Sequence, residues 1–81
     1  MSTPSTPPPF DPPDIPPVWN ALSLNARKAL ARLWDSDTQP ASGPAVELMN
    51  ATLVATATGG WSITLRGYQV AAWAYGAGVL P

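Results

Sequence analysis

The pattern of apolar and polar positions changes period along the chain. Between Leu22 and Trp34 apolar residues recur at helical spacing. Ala26, Leu30, Leu33 and Trp34 fall on one stripe, with Arg27, Lys28 and Arg32 off it. Ser23 stands where an N-cap belongs, and Asp35-Ser36-Asp37-Thr38-Gln39-Pro40 breaks the pattern, so a helix is expected over residues 20–35. Ser42-Gly43-Pro44 opens a second, shorter helix through Ala51, because a proline in the first turn lacks only an N–H that would have no partner there. Val46, Leu48 and Met49 are its expected inward residues.

The period then falls to two. Leu53–Thr58 and Trp61–Thr64 are β-rich runs joined by Gly59-Gly60, a pair suited to a two-residue turn with positive φ at both central positions. That loop pairs Thr58 with Trp61, Thr56 with Ile63 and Val54 with Leu65, which sets Val54, Trp61, Ile63 and Leu65 on the face toward the helices. Thr64 ends the second strand and caps a last helix through Tyr75, which Gly76 and Gly78 terminate. On that helix Leu65, Tyr68, Ala72 and Tyr75 form one stripe, while Val70 and Trp73 lie on another. A helix apolar on two sides, uncharged after Arg66, carries more apolar surface than a hairpin and two short helices can cover. The excess reads as a contact surface.

Ahead of residue 18 the periodicity disappears. Eight of the eleven prolines fall in residues 1–17. Pro7-Pro8-Pro9-Phe10-Asp11-Pro12-Pro13 cannot propagate a helix, since proline lacks the N–H and restricts the residue before it. An extended arm rising about 3.1 Å per residue is expected instead. Phe10, Ile15 and Trp19 are spaced along or just beyond this arm, and a solvated tail seldom carries such residues. Together with Val70, Trp73 and Tyr75 they are the expected contacts to a partner protein. The chain thus divides into an arm, residues 1–17, and a domain, residues 18–81.

Composition narrows the chemistry. With 81 residues, 46% of them hydrophobic and 11% charged, a net charge of −1 and neither cysteine nor histidine, the chain has room for one small domain. It has neither the cysteines for a disulfide nor the usual ligands of a structural zinc site. Oligomerisation or docking is the remaining support. Thiol nucleophile and imidazole base are both absent, and nothing positions Glu47 with Asp35 or Asp37 as a catalytic pair. No enzyme, metal, cofactor or small-molecule substrate is expected. Gly59-Gly60 has neither the lysine nor the following helix of a phosphate loop. The N-terminus shows no signal peptide, and the longest apolar tract, Val70 to Leu80, falls short of the roughly 20 residues of a bilayer span, so a soluble protein is expected.

Three segments carry a resemblance. Leu22-Ser23-Leu24-Asn25-Ala26-Arg27-Lys28-Ala29-Leu30, the Leu53-Val54 strand with its Gly-Gly tip, and Ile63-Thr64-Leu65-Arg66-Gly67 resemble the winged-helix domains of bacterial and phage regulators over about residues 22–75. The resemblance implies a small α+β, winged-helix-like domain in the order α-α-β-β-α, preceded by the arm, with Thr64 capping the last helix and Gly67 allowing close packing. It departs where DNA would be read. The segment matching the groove-reading helix, Pro44 to Ala51, holds Glu47 and Asn50 but no cation. Arg27, Lys28, Arg32 and Arg66 are the candidate contacts to nucleic acid or to an acidic partner. One helix fewer is visible than a full winged helix has. Arm and composition also resemble small accessory proteins of bacteriophage particles, of the capsid-decoration or connector type. The expectation is a non-catalytic assembly protein, in a virion or a host cytoplasm, bound to a protein partner or to copies of itself. A DNA-binding regulator and a phage-encoded inhibitor of a host protein are the alternatives.

Overall fold

Asp11 leads into a turn of 3-10 helix, Pro12–Asp14, which runs on into helix α1, Ile15–Ala21, in a computed structural model that describes residues 8–81. Helices α2, Leu24–Ser36, and α3, Ser42–Asn50, follow, then strands β1, Val54–Ala57, and β2, Gly60–Ile63, and finally helix α4, Leu65–Ala77. The fold is a small α+β unit of four helices and a two-stranded antiparallel sheet among the described residues.

The extended arm is corrected over residues 12–17. Both Pro-Pro pairs sit in the first turn of a short helix, where the missing N–H groups would bond to nothing. Ile15 is helical at φ −70°, ψ −51° although a proline follows it. Burial outweighs that local restriction: α1 turns Ile15 and Trp19 into the core, and Trp19 is 2% exposed. Helix α1 thereby runs across the division drawn at residue 18. The portion of the expected arm before residue 8 lies outside the described residues.

Helix α2 starts at Leu24 and not at residue 20, because Asn20 and Ala21 belong to α1 and Leu22 is extended, and from its Ser23 cap onward it follows the predicted stripe. The Ser23 hydroxyl accepts the Ala26 N–H at 3.2 Å, Ala26, Leu30 and Leu33 are buried, and Asp37 at φ 58° closes the helix in the left-handed region. Helix α3 starts where expected but is rotated. Ala45 and Leu48 are buried, whereas Val46 and Met49 face outward. The rotation accompanies a bond between helices: the Glu47 carboxylate accepts the Ser23 backbone N–H and hydroxyl, each at 2.7 Å.

The hairpin differs by two residues in register. Val54 pairs with Ile63, Thr56 with Trp61 and Ala57 with Gly60, so the turn is Thr58-Gly59 and, of the two glycines, only Gly59 has positive φ. A shift of two preserves the faces, and Val54, Trp61 and Ile63 still share one. Gly60 instead lies in β2, where an added Cβ would meet the end of the Gln39 side chain. The Gln39 amide donates to the Trp61 carbonyl at 3.0 Å and accepts the Trp61 N–H at 2.6 Å, which satisfies the open edge of β2 as a third strand would.

Helix α4 is capped by Thr64, whose hydroxyl accepts the Gly67 N–H at 3.1 Å, and it ends at Gly78 in the left-handed region. At Gly67 a Cβ would collide with the Leu53 carbonyl and with Ile63, so the helix approaches the hairpin at a distance only glycine permits. This contact sets the rotation of α4: Gly67, Val70, Ala71 and Ala74 face inward. The expected inner position of Leu65 beside Val54 is overturned, because Leu65 is the first residue of α4 and is 51% exposed.

Candidate interaction surface

With α4 turned this way, the stripe Leu65, Tyr68, Ala72 and Tyr75 looks away from the core. Tyr68 is 54% and Tyr75 68% exposed. Trp34, half-buried on α2, joins them at the border. Its ring meets Tyr68 edge-on at 6.3 Å between centroids and Tyr75 at 5.5 Å and a 51° tilt. Both distances lie in the range of favourable aromatic pairs. Below Tyr75 a groove of about 340 Å³ runs between the two helices, lined by Lys28, Arg32, Trp34, Asp35, Tyr75 and Leu80.

The predicted contact residues divide between core and surface. Ile15, Trp19 and Val70 are buried in the protein's own core and are unavailable to a second chain in this fold. Trp73 is half-buried and packs against that core. Phe10 is half-buried too: its N–H and carbonyl both bond the side-chain amide of Gln69, and the Arg66 guanidinium lies 4.5 Å over its ring. Tyr75 alone of the six is well exposed. Leu65, Tyr68 and Trp34 were not assigned to a contact surface from sequence. Leu65 was expected inward from the hairpin pairing and Trp34 from the apolar stripe of the first helix.

The four cations also divide. Arg27 donates from Nε to the Trp19 carbonyl and from Nη2 to the Asn20 carbonyl, at 3.1 and 3.0 Å, and stacks 5.6 Å from the Trp19 ring centroid. Both carbonyls lie in the last turn of α1, and the Trp19 carbonyl also accepts the Leu22 N–H at 3.1 Å. Arg66 donates from Nε to the Pro8 carbonyl at 2.6 Å and from Nη1 to the Thr52 hydroxyl at 3.1 Å. Thr52 is a β-branched residue at φ 66°, and the Thr64 hydroxyl holds its carbonyl at 2.7 Å. Arg27 and Arg66 therefore bind the chain to itself. Lys28 and Arg32 stay exposed on α2, beside the groove.

Glu47 is a carboxylate whose titration the fold perturbs. The Ser23 backbone N–H, and after it the Ser23 hydroxyl, hold its carboxyl below the usual carboxylate range. Both bonds serve helix packing. Among the described residues no three His, Cys, Asp or Glu side chains gather to hold a metal ion, and no helix is long and apolar enough to cross a membrane.

Comparison with known protein families, with curated proteins and with solved structures finds no match to this chain.

Proposed function

We propose that this chain is a non-catalytic assembly protein that docks on another protein through the outward face of α4. The observation that carries the reading is the exposure of Leu65, Tyr68 and Tyr75 along one helix stripe, bordered by Trp34. Large aromatic side chains in contiguous array supply much binding area for little rotamer entropy, and such residues dominate protein interfaces. A small virion accessory component is the version of this reading that the composition favours. The winged-helix resemblance enters as a scaffold, with α1 as the additional helix ahead of α2. A nucleic-acid role draws less support, since Arg27 and Arg66 are engaged within the chain and the outward residues of α3 include Val46 and Met49.

The test is recovery of the full chain, affinity-tagged, from its source cells, with Leu65→Glu and Tyr75→Glu compared with Ala57→Glu on the exposed hairpin. Losing one aromatic anchor typically costs about 2 kcal/mol, or roughly 30-fold in affinity. The α4 variants should lose the partner that wild type and Ala57→Glu retain. Equal recovery by all forms, or tight duplex-DNA binding at about 50 mM salt, refutes the reading.

A further inference from the structure

Two side chains of α4 hold residues 8–10 as a peptide is held in a binding site. The Gln69 amide accepts the Phe10 N–H at 2.8 Å and donates to the Phe10 carbonyl at 3.1 Å. The Arg66 guanidinium donates to the Pro8 carbonyl at 2.6 Å and lies 4.5 Å over the Phe10 ring. These contacts read a carbonyl, both backbone groups of the residue two positions later, and an aromatic ring. Backbone and ring belong to any chain that carries an aromatic residue, so nothing in the recognition requires attachment in cis. Pro8 and Pro9 have no N–H to give a sheet, and each proline restricts the residue before it. A segment of this kind therefore loses little conformational freedom on seating.

Residues 8–10 form a strap that lifts without unfolding the core. Both prolines are exposed, Phe10 is half-buried, and exposed Asp11 joins the strap to the 3-10 turn. Surface side-chain bonds open at far lower free energy than a core, and α1 keeps Ile15 and Trp19 in place. Beside the strap runs a groove of about 440 Å³ whose lining includes Phe10, Val18, Leu22, Ala51, Thr52 and Arg66. A longer segment seated at Arg66 gains apolar area there that residues 8–10 do not cover.

We propose that Arg66, Gln69 and this groove form a binding site for a proline-rich, aromatic-bearing segment of a partner protein, which Pro8–Phe10 occupy in cis until that segment displaces them. The site uses none of the residues of the exposed tyrosine stripe, so its failure leaves the docking reading of that stripe untouched. A strap tethered this closely acts at about millimolar effective concentration, and wild type therefore binds a free peptide weakly.

The probe is an acetylated, amidated peptide with the sequence of residues 8–12, titrated to about 5 mM into the isotope-labelled full chain and followed by NMR. Phe10→Ala disables the strap and leaves Arg66 and Gln69 in place. It should bind the peptide at least about tenfold more tightly than wild type, with shifts at the Gln69 side-chain amide. A peptide with alanine in place of its phenylalanine should not bind. Adding Gln69→Ala to Phe10→Ala should weaken binding about tenfold. Far-UV circular dichroism establishes folding. If Phe10→Ala is unfolded, Pro9→Gly, which loosens the strap by added chain freedom, takes its place and should bind about threefold more tightly than wild type. No binding to the strap-weakened chain at about 5 mM makes residues 8–10 an internal brace only and overturns the proposal. So does binding indifferent to Gln69→Ala, or equally tight to wild type and the strap variant.

Discussion

The side-chain amide of Gln69 pairs with both backbone polar groups of Phe10, accepting its N–H at 2.8 Å and donating to its carbonyl at 3.1 Å. The two residues are 59 apart in sequence, and the pair fastens the chain ahead of α1 to the flank of α4. A partly buried hydrogen bond contributes about 1 kcal/mol. Gln69→Ala should therefore cost about 1–2 kcal/mol in urea unfolding and expose the Phe10 region to limited proteolysis. Gln69→Glu keeps the acceptor but sets a carboxylate against the carbonyl, and should cost at least as much at neutral pH. A loss under about 0.3 kcal/mol for Gln69→Ala would mean the clasp contributes nothing in solution.

Gly67 and Gly76 lie on the same helix and should respond in opposite directions to alanine. A Cβ at Gly67 has no room beside the Leu53 carbonyl, whereas nothing lies within 4 Å of one at Gly76. Gly76→Ala should stabilise by about 0.5–1 kcal/mol through helix propensity. Gly67→Ala should destabilise by about 1–3 kcal/mol despite the same propensity gain. Thermal unfolding of both variants at low protein concentration decides the matter.

The cations divide between structural and free. Arg27→Ala removes two hydrogen bonds to the end of α1 and should cost about 1–2 kcal/mol. Lys28→Ala and Arg32→Ala, on an exposed face, should stay within about 0.5 kcal/mol of wild type. Arg66→Lys should behave like a loss, because an ammonium cannot reproduce the fork that joins Pro8 and Thr52 while lying flat over Phe10.

Acid should weaken the joint between α2 and α3. Folding depresses the Glu47 pKa, so the unfolded chain binds more protons in that range and stability rises with pH there. The contribution is fully present above the unfolded value, about 4.3, and disappears as pH falls through the lower folded value. The stability difference between wild type and Glu47→Gln should therefore shrink as pH falls below about 5. A difference that stays constant from pH 7 to strongly acidic conditions would show that the carboxylate's charge has no part in the joint.

Local signals in the sequence were read correctly, and signals that depend on distant contacts were not. Ser23, Thr64 and Gly78 act within their own turns: the first two start helices and the last ends one, as their residue types imply. The proline rule is equally local, but in α1 burial of Ile15 and Trp19 against α4 overrides it. The hairpin register turned on which two residues make the bend. Gly60 was free to join β2 because Gln39, distant in sequence, braces that edge.

The rotation of α4 is the costliest of these differences for a functional reading. Both stripes are apolar, and hydrophobicity alone does not decide which is the inner face. Close approach to Leu53 selects the stripe with Gly67, Ala71 and Ala74 instead. Leu65, expected toward the hairpin, becomes surface beside Tyr68 and Tyr75, and Val70, expected as a partner contact, becomes core. Steric fit at one glycine thus decides which residues remain for a partner.

The most direct measurement is site-specific photo-crosslinking in the source cells, with a photoreactive phenylalanine analogue at Tyr68 or Tyr75, and at Asp37 or Ala57 as exposed controls. The account predicts protein adducts, to a second copy or to another chain, from the two α4 positions and none from the controls. Adducts from the controls alone, or equally from all four positions, would contradict it.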